Sequence, residues 1–172
     1  MVEGDSGWNC WPYTSVPVNV VGWAVTSRDQ LLWDDESVDI YVGDIADNAS
    51  QCAEACGRFF HQDGDYSSCP GGAPHHYDMS LWLTEGLAAG GAGADWGQRV
   101  GSEYFVNNVD SENIHVFLHA TGHSFGLDDF YDWQPSGVDA FIMYAGSSTV
   151  VTEFDGWMLR DWWRHLKPRY EL

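Results

Sequence analysis

Basic residues are scarce. The 172 residues hold 7 Lys and Arg, with Lys167 the sole lysine, against 26 Asp and Glu, for a formal charge of −19 at neutral pH. A polyanion has to be met by Lys and Arg, so the composition argues against a nucleic-acid partner and, for the same reason, against an anionic membrane surface. No apolar run reaches about 18 residues, and no charged-then-apolar leader opens the sequence, so no spanning or exporting segment is read from it. Met1 opens abruptly onto a polar stretch, which fits a secreted domain whose leader has been left out. Cysteines number four, Cys10, Cys52, Cys56 and Cys69. An even count fits two disulfides in any of three pairings, and hence an extracellular life. Cys52 and Cys56 lack the C-x2-C partner that a zinc knuckle needs.

Apolar residues make up 44% of the chain and aromatics 15%, including 10 Trp, enough for a packed core and far from a disordered profile. One domain over residues 1–172 is expected, acting as a monomer. The acid is unevenly placed: residues 1–151 hold 22 acids and three bases, while residues 152–172 balance four acids with four bases. A solvated acidic surface explains most of it.

Strands are expected at Val16–Val25, Val38–Val42 and Asp78–Thr84, the last with Met79, Leu81 and Leu83 opposing Ser80, Trp82 and Thr84. A helix is expected at Asn48–Phe60, opened by Asn48, followed by a turn-rich loop over His61–Pro74 tied down by Cys69. Five glycines in Gly86–Gly97 predict a surface loop with no regular element. Asn113–Phe125 reads as the best helix, capped by Asp110 or Ser111 and closed by Gly126. After an irregular stretch from Asp128 to Gly146, Thr152 and Asp155 form a capping-box pattern for a last helix ending before Pro168. Strands first and helices later predict an α+β fold.

His119 and His123 stand four apart on the strongest helix, so both imidazoles leave one face a turn apart, as two ligands of one metal require. Gly126 lets the backbone turn sharply, and Asp129 then returns toward the same point. Three protein ligands leave a fourth position open, the mark of a catalytic zinc site. Asp128 is the rival for the third place, and Asp132 is expected to cap or hydrogen-bond nearby. His115 extends the series as a packing or supporting residue. Asp63-Gly64-Asp65 could hold Ca²⁺, although the fuller loop spacing is missing. His75 and His76 are expected to be exposed.

The pattern H-x-x-x-H-x-x-G-x-x-D, with Met143 in Phe141-Ile142-Met143-Tyr144 downstream, resembles the metzincin zinc endopeptidases. An aspartate as third ligand is similar to the snapalysin branch. The stretch from Asp78 to Tyr170, with Leu-Asp-Asp-Phe-Tyr-Asp-Trp at Leu127–Trp133, also resembles a group of secreted fungal and bacterial zinc-peptidase-like proteins. The likeness covers roughly the C-terminal half. It implies a twisted mixed sheet with an active-site helix and a C-terminal helix, and one Zn²⁺ held by His119, His123 and Asp129. It also implies a methionine turn at Met143 and a peptide or protein substrate pairing with the Asp78–Thr84 strand. Tyr144 sits one residue past the methionine, where packing is the expected role. Ala120 departs from the family, which has glutamate there as the general base. Proton transfer of that kind is worth about 10²- to 10⁴-fold. The replacement is therefore expected to leave zinc binding possible and to impair hydrolysis severely. Two readings account for it: an engineered inactive variant of a peptidase, or a natural pseudopeptidase that holds zinc and binds protein or carbohydrate.

Overall fold

A computed structural model describes residues 17–42, 45–46, 49–50, 52–88, 90–94, 97–144 and 148–169. Cys10 and Asn48 lie outside them. The fold is α+β, with short strands in both parallel and antiparallel pairs and three α-helices. Pro17–Thr84 forms one compact unit, and Glu85–Leu172 belongs to a second. No described helix is long and apolar enough to cross a membrane.

In the first unit, β1 (Gly22–Val25) pairs in parallel with β2 (Asp39–Val42), and β3 (Ile45–Ala46) pairs antiparallel with β4 (Ala49–Ser50). β1 is shorter than the apolar run that predicts it. The helix expected over Asn48–Phe60 is absent from the described residues of that segment. Its described part holds β4 and two single 3₁₀ turns, Glu54–Cys56 and Arg58–Phe60, separated by Gly57 in an extended conformation (φ −69°, ψ 149°). Tertiary ties override helix propensity there. Cys56 is bonded to Cys69, and the Tyr77 N–H donates to the Cys56 carbonyl across a parallel bridge. The disulfide anchors the His61–Pro74 loop as expected. β5 (Leu81–Thr84) ends the unit with its faces reversed from expectation: Leu81 and Leu83 are exposed and Trp82 is half-buried.

The second unit contains the glycine-rich stretch, and the expected loop is instead a hairpin. β6 (Gly91–Ala94) pairs antiparallel with β7 (Gly97–Gly101). Glycine is required because a helix lies directly on the strand. A Cβ on Gly93 would stand 2.1 Å from the Ala120 carbonyl oxygen, and one on Gly91 would stand 2.3 Å from Val116 Cγ1. Composition signals flexibility here, while the packing uses the missing side chains for close approach.

α1 (Ser102–Asn108) was not expected. α2 (His115–Ser124) is the anticipated central helix, but it begins after Ile114, without a side-chain cap from Asp110 or Ser111. Its end follows the sequence closely. Gly126 takes φ +75°, its N–H donates to the His123 carbonyl, and the Leu127 N–H donates to the Gly122 carbonyl, satisfying the last turn. α3 (Glu153–Leu166) opens on the Thr152–Asp155 capping box, with Arg164 and His165 near its negative end. The core lies where α2 and α3 meet the irregular segment between them. Phe141, Ile142 and Met143 are buried there, with Phe130, Phe154 and Met158 packed around them.

Candidate metal centre

Three side chains converge as the spacing anticipates. His119, His123 and Asp129 bring their donor atoms within 4.8 Å of one another, the one such group of three or more His, Cys, Asp or Glu among the described residues. α2 supplies both imidazoles from one face, with ring centroids 4.9 Å apart and planes at 87°. The turn at Gly126 returns the chain so that Asp129 Oδ1 lies 2.9 Å from His119 Nε2 and 3.3 Å from His123 Nε2. Ligands on a tetrahedral ion with bonds of about 2.0–2.2 Å stand roughly 3.3–3.6 Å apart. The His123–Asp129 separation falls at this range and the His119–Asp129 separation below it, while all three donors lie within 4.8 Å.

The outer hydrogen bonds set the tautomers. His119 Nδ1 lies 2.8 Å from the Ile142 carbonyl oxygen, and His123 Nδ1 lies 2.8 Å from that of Leu127. A carbonyl oxygen only accepts, so each Nδ1 carries a hydrogen and each Nε2 is the ring nitrogen turned toward Asp129. Two imidazole nitrogens and a carboxylate oxygen then face one point. Positive charge is needed there to hold them together, from protons on Nε2 or from a cation that replaces them. A divalent cation fits this donor set, and backbone-anchored imidazoles of this kind are the usual support of metal ligands. The group could therefore hold a metal ion.

Met143 is fully buried, and a Cβ on Gly122 would come 2.3 Å from its sulfur, which places the methionine under α2 between the two ligating turns. Asp128 lines a groove with Trp157 and Trp162 and is not among the converging donors, which include Asp129. Asp132 is exposed. His115 supports the site from outside: its Nδ1 lies 2.6 Å from the Ser148 carbonyl oxygen and its ring centroid 5.8 Å from that of His119. Tyr144 packs on Phe141, as expected.

Tyr131 is the neighbour that spacing alone did not single out. Its ring stacks on His119 with planes 5° apart, and its hydroxyl lies 3.1 Å from His119 Nε2. Desolvation first, then the hydrogen bond to and charge of Asp129, push its phenol above the ordinary tyrosine value. An aromatic two residues past a metal-ligating aspartate is the signal that could have found it. Ala120, on the same helix, is 1% exposed with the backbone of β6 against it. The strand lying along α2 is β6.

The remaining candidates form no centre among the described residues. Asp63 and Asp65 accept from the backbone N–H groups of Asp65 and Ser67, respectively, as turn formers. His75 and His76 are half-buried, not exposed: His75 Nδ1 lies 2.9 Å from Asp39 Oδ2, and His76 packs edge-on against His61 and Tyr66. Comparison with protein families, with curated proteins and with solved structures finds no match for this chain.

Proposed function

We propose that the chain is a secreted zinc endopeptidase domain of metzincin type, hydrolytically disabled by alanine at position 120. The observation that carries this reading is the convergence of His119 Nε2, His123 Nε2 and Asp129 Oδ1, with both imidazoles oriented by backbone carbonyls. Zinc, when bound, polarises a carbonyl and lowers the pKa of a water molecule toward about 7. The protein's own residues do the rest. The two Nδ1–H bonds hold the ligands in place, and Asp129 supplies negative charge that favours a divalent ion. The Tyr131 hydroxyl, beside His119, is placed to donate a hydrogen bond to a bound substrate oxygen. The edge of β6 offers backbone groups to an extended peptide. The Ala120 methyl can neither take up nor deliver a proton. The Cys56–Cys69 bond supports life in an oxidising compartment.

A zinc-holding binding module is the second reading, and one observation favours it. Ala120 is 1% exposed, so its methyl has no open solvent beside it for a longer side chain to enter. Replacing Ala120→Glu, loading zinc and assaying a mixed peptide library separates the two. Cleavage appearing in the variant, at unchanged zinc content, supports the peptidase reading. A variant that holds one zinc and cuts nothing overturns it in favour of the module.

A further inference from the structure

We propose that Asp155, at the start of α3, is a positioning residue for the metal centre, acting through Ile142 on His119. The proposal rests on the metal-site reading above and extends it to a residue more distant in sequence. Asp155 is 4% exposed, and both of its carboxylate oxygens are engaged. Oδ2 accepts from the Thr152 N–H and hydroxyl, each at 2.7 Å, which completes the helix cap. Oδ1 accepts from the Ile142 N–H at 2.8 Å, thirteen residues upstream. A capping box needs only the first of these. The second reaches out of the helix and fixes the buried turn Phe141–Tyr144.

Ile142 is held on both sides. Its N–H is committed to Asp155, and its carbonyl is the acceptor that orients His119 Nδ1. The Met143 carbonyl accepts from the Phe130 N–H, next to Asp129 in the chain, so the same turn also anchors the strand of residues that carries the third ligand. By fixing the Ile142 backbone, Asp155 holds the Ile142 carbonyl where the His119 Nδ1–H meets it, and so favours the tautomer protonated at Nδ1. Supporting groups of this kind change metal affinity by about 10- to 100-fold when removed.

Three variants separate positioning from simple helix capping. Thr152→Ala removes the cap hydroxyl and leaves the bond from Asp155 to Ile142. Asp155→Asn keeps a carbonyl oxygen for the Ile142 N–H but replaces the other oxygen with an amide that cannot accept. Asp155→Ala removes both. Zinc affinity by competition with a chelator is expected to fall about 10- to 100-fold in Asp155→Ala and to stay within about threefold of the parent in the other two. Long-range ¹H–¹⁵N NMR of the metal-free protein is expected to show His119 protonated at Nδ1 in the parent, Thr152→Ala and Asp155→Asn, and a mixed tautomer in Asp155→Ala. The proposal is overturned if Asp155→Ala keeps the parent tautomer, or if Thr152→Ala loses as much affinity as Asp155→Ala. If Asp155→Ala does not fold, Asp155→Ser, too short to reach Ile142, takes its place: loss of the parent tautomer supports the proposal and retention overturns it. Because the tautomer is read without metal, a parent that binds no zinc would refute the metal reading separately.

Discussion

On the peptidase reading, the carboxylate absent from position 120 matters more than the 26 that are present. The methyl group leaves the candidate metal ligands untouched, while the family that the sequence resembles has its proton-moving glutamate there. The ligands themselves were legible because side-chain spacing on a helix is a geometric rule: His119 and His123 had to share a face, and Gly126 had to turn the chain. What supports them was not legible. The Leu127 and Ile142 carbonyls are backbone groups that every residue has, and Asp155 announced itself only as a cap. Tyr131 offers a direct test at this scale. In metal-free protein its phenol ionises above the ordinary tyrosine range, held up by desolvation and by Asp129. Its raised value in the folded state means its contribution to stability is present below the ordinary value and is lost as pH climbs through the raised one. An absorbance titration of the parent against Tyr131→Phe isolates that transition. A midpoint at or below the ordinary value would contradict the placement of the ring.

Among the elements, hydrophobic periodicity and capping chemistry succeeded where local sequence dominates and failed where distant contacts do. α3 begins at its capping box because Thr152 and Asp155 satisfy each other locally. The segment Asn48–Phe60 reads as helix by composition, yet Cys56 is drawn to Cys69 and Tyr77, and no α-helix survives in its described part. Closing a loop of 13 residues' separation, that disulfide is expected to contribute about 3 kcal/mol. Denaturant unfolding of Cys56→Ser followed by fluorescence should show a loss of this order, and an unchanged midpoint would mean the crosslink constrains little. The glycines of β6 carry the opposite lesson. They look like a flexible loop, and they are the surface on which α2 rests. Gly93→Ala must push a methyl into the Ala120 carbonyl, a backbone atom that cannot swing away, so a loss of about 1–3 kcal/mol is expected in thermal or denaturant unfolding. A variant as stable as the parent would show that strand and helix stand further apart.

For the molecule as a whole, the charge of −19 sits almost entirely ahead of α3, since residues 152–172 are balanced. The candidate metal centre belongs to this acidic body, and long-range attraction there is expected to favour basic peptides. Association of a Lys- and Arg-rich peptide should weaken steeply as salt rises toward about 1 M, where charges are screened beyond about 3 Å. Binding indifferent to salt would assign the charge to solubility alone. Proton competition for the imidazole nitrogens adds a second bulk property, metal affinity that falls as the solution is acidified. The most direct measurement is zinc content per chain after loading and dialysis, for the parent, His119→Ala, Asp129→Ala and, as a control outside the ligand set, His115→Ala. One zinc is expected in the parent and in His115→Ala, and a loss of most of it in the other two. Equal zinc in His119→Ala and the parent would contradict the metal centre itself.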